Sequence, residues 1–127
     1  MNLVLDIGNT LLKVGLFKNN NLISYSEFNE HYYDNIKYIL ESNVILYSVV
    51  SNVSKSESKL IELLSVRTQY ICFDSSLKIP FYNKYKSKST LGNDRLALVS
   101  SAVLKYPNEN ILIIDLGSCI TYDFINC

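Results

Sequence analysis

The chain has 127 residues, of which 48% are hydrophobic and 19% charged, a balance that excludes a disordered polymer and suffices for one domain with a real core. Twelve basic and twelve acidic side chains cancel, so no net charge draws the protein to nucleic acid or to an anionic membrane. No apolar segment approaches the roughly 20 residues needed to cross a bilayer, and Asp6 interrupts the first apolar run at once, so a cytoplasmic protein is expected.

In chain order, residues 2–7 and 11–17 read as two short strands, the Asn19-Asn20-Asn21 run as a turn, and residues 22–28 as a third strand. Tight turns between them imply an antiparallel meander. Tyr32, Tyr33, Ile36, Ile39 and Leu40 recur at helical spacing and predict an amphipathic helix over 31–42, with His31, the single histidine, on its surface or capping it. Residues 44–50 form a continuous apolar run, the pattern of a strand covered on both faces. Ser54 is a candidate cap for a helix over 55–65, with Glu57 completing a capping box and Leu60, Ile61 and Leu64 forming its stripe.

A strand over 69–73 follows. Residues 75–91 have no periodicity and contain Pro80, so they predict a long connection of the kind that often carries function. Leu96, Val99 and Val103 mark a helix over 94–106 that Pro107 ends, and strands over 110–115 and 119–125 complete the chain. Cys72 and Cys119 fall within apolar runs, where cysteine behaves as a small hydrophobe. With Cys127 they make an odd number without metal-ligand spacing, so reduced thiols are expected.

Two of these strand ends carry nearly the same string. Leu3-Val4-Leu5 leads into Asp6-Ile7-Gly8-Asn9-Thr10, and Ile111 to Ile114 leads into Asp115-Leu116-Gly117-Ser118-Cys119-Ile120-Thr121. An acid at a strand end beside a glycine turn can hold a metal and cradle phosphate on backbone N–H groups. Taken alone, either string also fits an ordinary turn, in which Asp, Gly and Asn are common. Between them lies Gly92-Asn93-Asp94-Arg95 at a predicted helix start, a position that favours negative charge and offers unpaired N–H groups. Plain helix capping is the simpler reading of that segment by itself.

The three segments, in this order and at these structural positions, resemble the three motifs of the type III pantothenate kinase family. The resemblance runs along the whole chain and covers about half of a typical member. It implies an α/β fold of the ribonuclease H-like, actin-like ATPase class: a domain with a mixed five-stranded sheet over 1–109, and the first hairpin of a second such domain over 110–127. It further implies ATP-dependent phosphorylation of pantothenate to 4′-phosphopantothenate, with Asp94 as the general base. Gly92, Asp94, Arg95 and, from the preceding stretch, Tyr85 would contact pantothenate.

By the same resemblance Asp6, Gly8, Asn9, Thr10, Gly117, Ser118 and Thr121 would hold the phosphates of ATP, and Asp6 and Asp115 the Mg²⁺ ion. A monovalent cation, K⁺ or NH₄⁺, and a homodimer in the full-length form also follow from the family, with no nucleic acid or membrane partner. Here Ser118 and Cys119 stand where the family usually has Thr and Ala; the serine keeps the hydroxyl. Lys78, Lys84, Lys86 and Lys88 could attract an anionic substrate or simply keep a loop solvated. Two other functions fit the same residues: a noncatalytic binding or regulatory protein on this fold, and another small-molecule kinase of the superfamily.

Overall fold

The structure is a computed structural model that describes every residue except 9, 53–56, 75, 88–90, 118 and 127. The elements are β1 (Asn2–Ile7), β2 (Leu12–Lys18), β3 (Asn21–Phe28), α1 (Tyr32–Ser42), β4 (Tyr47–Asn52), α2 (Ser58–Arg67), β5 (Gln69–Cys72), α3 (Asn93–Lys105), β6 (Ile111–Leu116) and β7 (Ile120–Ile125). This is the order expected from the sequence. The chain forms two compact units, Met1–Phe73 and Asp74–Cys127.

The first unit is built on a five-stranded sheet of order β3-β2-β1-β4-β5. The β1–β2 and β2–β3 pairs are antiparallel, whereas β4 joins β1, and β5 joins β4, in parallel. This mixed arrangement is the ribonuclease H-like class. Alternation along the strands separates two faces. One carries Leu3, Leu5 and Ile7 of β1, Leu12, Val14 and Leu16 of β2, and Val50 of β4, all buried together with Ile36 and Leu40 of α1 and Leu60 and Leu64 of α2. The opposite face carries Asp6.

Three details of this unit depart from the sequence reading. Strand β4 begins at Tyr47 rather than residue 44: Val44 and Leu46 precede it and are exposed, and within it Tyr47 is exposed and Val49 half-buried, whereas Ser48 and Val50 on one face and Ser51 on the other are buried. The upstream residues are held by the chain start instead, where the Met1 ammonium donates to the Val44 carbonyl at 3.0 Å and Leu46 N–H donates to Met1 O at 2.9 Å. Helix α2 starts at Ser58, so Glu57 is its N-cap residue, makes no side-chain cap bond, and is not the third helical position of a capping box. Ser54, the expected cap, lies outside the described residues. Finally, Cys72 is exposed, because it is the last residue of the edge strand β5.

His31 precedes α1 with a left-handed backbone (φ 55°) and makes no side-chain cap bond; its carbonyl accepts from Asn35 instead. It is a surface residue. Among the described residues, no helix is long and apolar enough to cross a membrane.

In the second unit, α3 packs against the antiparallel β6–β7 hairpin. Alternation again gives the hairpin two faces. Ile111, Ile113, Asp115, Thr121, Asp123 and Ile125 are half-buried, while Leu112, Ile114, Leu116, Ile120, Tyr122 and Phe124 are exposed. Cys119, in the turn, is exposed as well, contrary to the expectation of a buried small hydrophobe. Leu96 and Val99 of α3 are buried as their spacing predicts.

Candidate functional site

In the first unit the Asp6 string closes the β1–β2 hairpin. Gly8 N–H donates to the Leu11 carbonyl at 3.0 Å, and a Cβ at Gly8 would stand 3.3 Å from that same oxygen. No described glycine has a positive φ, so this glycine serves close backbone approach and not a left-handed turn. Thr10 is exposed, and its carbonyl lies 3.5 Å from the Tyr32 hydroxyl of α1. Asn9 lies outside the described residues.

The register around Asp6 reveals neighbours that sequence spacing hides. Asp6 stands opposite Lys13 on β2 and Ser51 on β4, and Lys13 in turn stands opposite Glu27 on β3. Directly paired residues share a sheet face, so Glu27, Lys13, Asp6 and Ser51 form one ladder across four strands. Tyr25, two residues before Glu27 on β3 and on the same face, donates its hydroxyl to Glu27 Oε1. That hydrogen bond pushes the Tyr25 hydroxyl above its ordinary pKa, and the Glu27 and Asp6 charges push in the same direction. A carboxylate with a cation on one side and a hydroxyl on the other, at the C-terminal ends of two parallel strands, occupies the position where open α/β sheets bind ligands.

In the second unit the Gly92 segment opens α3. Gly92 is the N-cap residue, in an extended conformation with no side-chain bond, and Asp94 lies exposed in the first turn. Asp94 Oδ1 accepts from Arg95 N–H at 2.8 Å, and a Cβ at Gly92 would collide with that same oxygen. Glycine therefore leaves room for the Asp94 carboxylate. Gly92→Ala is expected to swing Asp94 off Arg95 N–H and to lower stability by about 1 kcal/mol, the scale of an off-rotamer side chain with a poorer cap. Urea unfolding measures the cost, and an Arg95 amide NMR signal that stays in place would contradict the steric argument.

Arg95 points to a partner the sequence did not disclose. Its Nε donates to Asp123 Oδ2 at 2.9 Å and its Nη2 to Asp123 Oδ1 at 2.5 Å, a two-pronged pair, with Nη2 also 3.4 Å from the Tyr122 carbonyl. Both side chains are about four-fifths buried, at 20% and 18% exposure. The bond to Asp123 raises the Arg95 pKa above its ordinary value, against the opposing effect of burial. The guanidinium also lies over the Tyr85 ring, 5.3 Å from its centroid. Tyr85 is in turn fixed by its N–H, which donates to Asn83 Oδ1 at 2.9 Å.

These groups edge an open cleft of about 620 Å³ whose lining includes Phe81, Tyr85, Leu91, Arg95, Tyr122 and Asp123. The cleft combines aromatic walls with the Arg95–Asp123 ion pair and Lys84, a mixed lining suited to a small ligand with an apolar body and a few polar groups. Of the loop lysines, Lys84 lines the cleft, Lys78 and Lys86 are exposed, and Lys88 lies outside the described residues.

The second Asp-x-Gly string closes β6–β7 with a shorter turn. Gly117 N–H donates to the Cys119 carbonyl at 3.1 Å, and a Cβ there would meet only ordinary van der Waals contact at 3.8 Å. Asp115 stands opposite Thr121, whereas Asp6 stands opposite Lys13, so the two hairpins repeat the acid but not its partner. Ser118 lies outside the described residues. Among the described residues no group of three or more His, Cys, Asp or Glu side chains clusters in the manner of a metal site.

The family model described as type III pantothenate kinase matches residues 2–127. The type III pantothenate kinase of Flavobacterium psychrophilum is 43% identical over 129 residues, covering 99% of this chain and 53% of the relative. Those of Christiangramia forsetii and Bacteroides fragilis are 40% and 33% identical, covering 97% and 99% of this chain and 51% and 52% of each relative. The chain thus spans about half the length of the curated relatives it matches. A solved structure described as a conserved putative Baf family transcriptional activator from Campylobacter jejuni aligns with a TM-score of 0.54 at 24% identity. It covers 98% of this chain and 48% of its own, a likeness of fold.

Proposed function

This chain belongs to the type III pantothenate kinase family, and from that premise we propose that the protein carrying it transfers the γ-phosphoryl group of ATP to the primary hydroxyl of pantothenate. The observation that carries the proposal is the family match over residues 2–127, and it is supported by Asp6, Asp94 and Asp115 standing in the three segments that resemble the family's motifs. Residues 1–109 would be the N-terminal domain of that protein and 110–127 the opening hairpin of its second domain.

Phosphoryl transfer asks a protein for positioning and charge neutralisation more than for strong covalent chemistry. In our reading Asp94 accepts the proton from the attacking hydroxyl; its exposed place on the first turn of α3 leaves it reachable by a substrate. Arg95, oriented by Asp123 and stacked on Tyr85, holds the pantothenate carboxylate, and Gly92 keeps the α3 N-terminus open beside it. Gly8, Asn9 and Thr10 in the first hairpin, and Gly117, Ser118 and Thr121 in the second, receive the phosphates, with Lys13 adding a positive charge beside Asp6.

Asp6 and Asp115 would hold Mg²⁺, and the fit rests on donor chemistry. Carboxylate and hydroxyl oxygens are the hard ligands that ion prefers, and among the described residues the buried Ser51 hydroxyl next to Asp6 has no hydrogen-bond partner. When bound, Mg²⁺ neutralises charge that develops on the transferred phosphoryl group. A K⁺ or NH₄⁺ ion and a homodimer complete the reading on the strength of the family.

Comparing substrates tests the assignment within the superfamily. The whole protein is expected to favour pantothenate over glycerol and simple sugars by at least about 100-fold in kcat/KM, the discrimination available to a site that pairs a substrate's polar groups. Equal rates with a sugar would instead favour another small-molecule kinase.

A further inference from the structure

Two serines are buried in the five-stranded sheet, and their surroundings differ. Ser48 lies on the helix-covered face, where its Oγ is 2.6 Å from Thr68 Oγ1, and Thr68 passes the chain on to the Leu64 carbonyl at 2.8 Å. Ser51, three residues on, faces the other way. It is 9% exposed, and its Oγ is a buried side-chain polar atom with no hydrogen-bond partner among the described residues. A buried hydroxyl left unpaired costs free energy that alanine at the same place would not.

Sheet register indicates what the hydroxyl is for. Ser51 is the direct partner of Asp6 across the parallel β1–β4 pair, one strand spacing of about 4.8 Å away on the same face. Ser48 and Val50, on the core face, pair with the fully buried Leu3 and Leu5, so the face assignment is consistent along the strand. Asp6 therefore has Lys13 on its β2 side and Ser51 on its β4 side.

We infer that Ser51 is a positioning residue for the Mg²⁺-phosphate group at Asp6, its hydroxyl accepting a hydrogen bond from a water on the metal. The inference rests on the kinase reading of Asp6. Mg²⁺ gives up its waters reluctantly, so a carboxylate that binds it needs neighbours to orient those waters. Groups of this outer kind tune metal affinity by about 10- to 100-fold. Ser51 is already desolvated and has no partner among the described residues, so it gives up no bond to them in taking this role.

The test is titration of the whole protein with the Mg²⁺ complex of inorganic tripolyphosphate, followed by calorimetry, beside the melting temperature of each variant without ligand. Ser51→Ala is expected to bind about tenfold more weakly while melting at the same or a higher temperature. Ser51→Thr, which keeps the hydroxyl, is expected to bind within about twofold of the parent, on the rule that the hydroxyl and not the volume matters. Asp6→Asn is expected to lose binding. Parent-like binding by Ser51→Ala, with binding lost in Asp6→Asn, would overturn the inference and leave the Asp6 assignment standing. Equal binding by the parent and Asp6→Asn, or no binding by the parent, would overturn both.

Discussion

Asp94→Asn in the whole protein is expected to lower kcat for pantothenate phosphorylation by about 10²- to 10⁴-fold, the usual contribution of a general base. The fold should barely register the change. Asp94 is exposed, its described bond is to its own helix, and asparagine offers an oxygen in the same place. What remains is the loss of one negative charge from a helix N-terminus, worth about 0.3–1 kcal/mol. The KM for pantothenate should move little, because the proton is transferred only as the hydroxyl attacks. A variant that keeps full kcat would remove Asp94 from the chemistry without touching the family assignment. A variant that unfolds would show that the acid is a structural cap.

Asp123→Ala is expected to produce the largest stability loss at the site, about 2–4 kcal/mol, somewhat below the range for breaking a fully buried ion pair. The geometry explains the size. Arg95 and Asp123 meet through two parallel bonds at about four-fifths burial, so removing the carboxylate strands a desolvated guanidinium. An exposed pair would be worth less than about 1 kcal/mol. Urea unfolding of Asp123→Ala, Arg95→Ala and the double variant gives the coupling energy directly, and a value under about 0.5 kcal/mol would reduce the fork to a surface contact. Asp123→Asn, which preserves one acceptor, should fall between. In the whole protein the same change should raise KM for pantothenate more than it lowers kcat, since it loosens Arg95 and Tyr85 without removing Asp94.

Much of this architecture was legible in the residues themselves. Every strand and helix appears in the predicted order, because apolar alternation and helical stripes are local properties that a single sequence carries. The acids at the ends of β1 and β6 and the start of α3 were legible for the same reason: Asp, Gly and Asn mark turns and caps within a few residues. What the sequence hid is long-range register. Lys13 and Ser51 become neighbours of Asp6 only once β2 and β4 are laid beside β1, and no periodicity along the chain announces that.

The Asp123 fork to Arg95 spans 28 residues and is equally silent in sequence, although Asp123 sits two positions beyond Thr121 on the same strand face. Burial was the other weak point. An apolar run at 44–50 looks like a doubly covered strand, yet its first residues run outside the ladder, held by the chain start. Cys72 and Cys119 read as interior residues and are exposed, because a strand's last residue and a hairpin turn fall beyond the cover of the helices.

One transfer decides the function of the protein that carries this chain. With ATP labelled in the γ-phosphate, Mg²⁺ and K⁺, the whole protein should move the label to pantothenate, giving 4′-phosphopantothenate and one ADP for each pantothenate consumed. Unchanged pantothenate, or ATP hydrolysed without label reaching the alcohol, would contradict it and leave a family member that binds without catalysing.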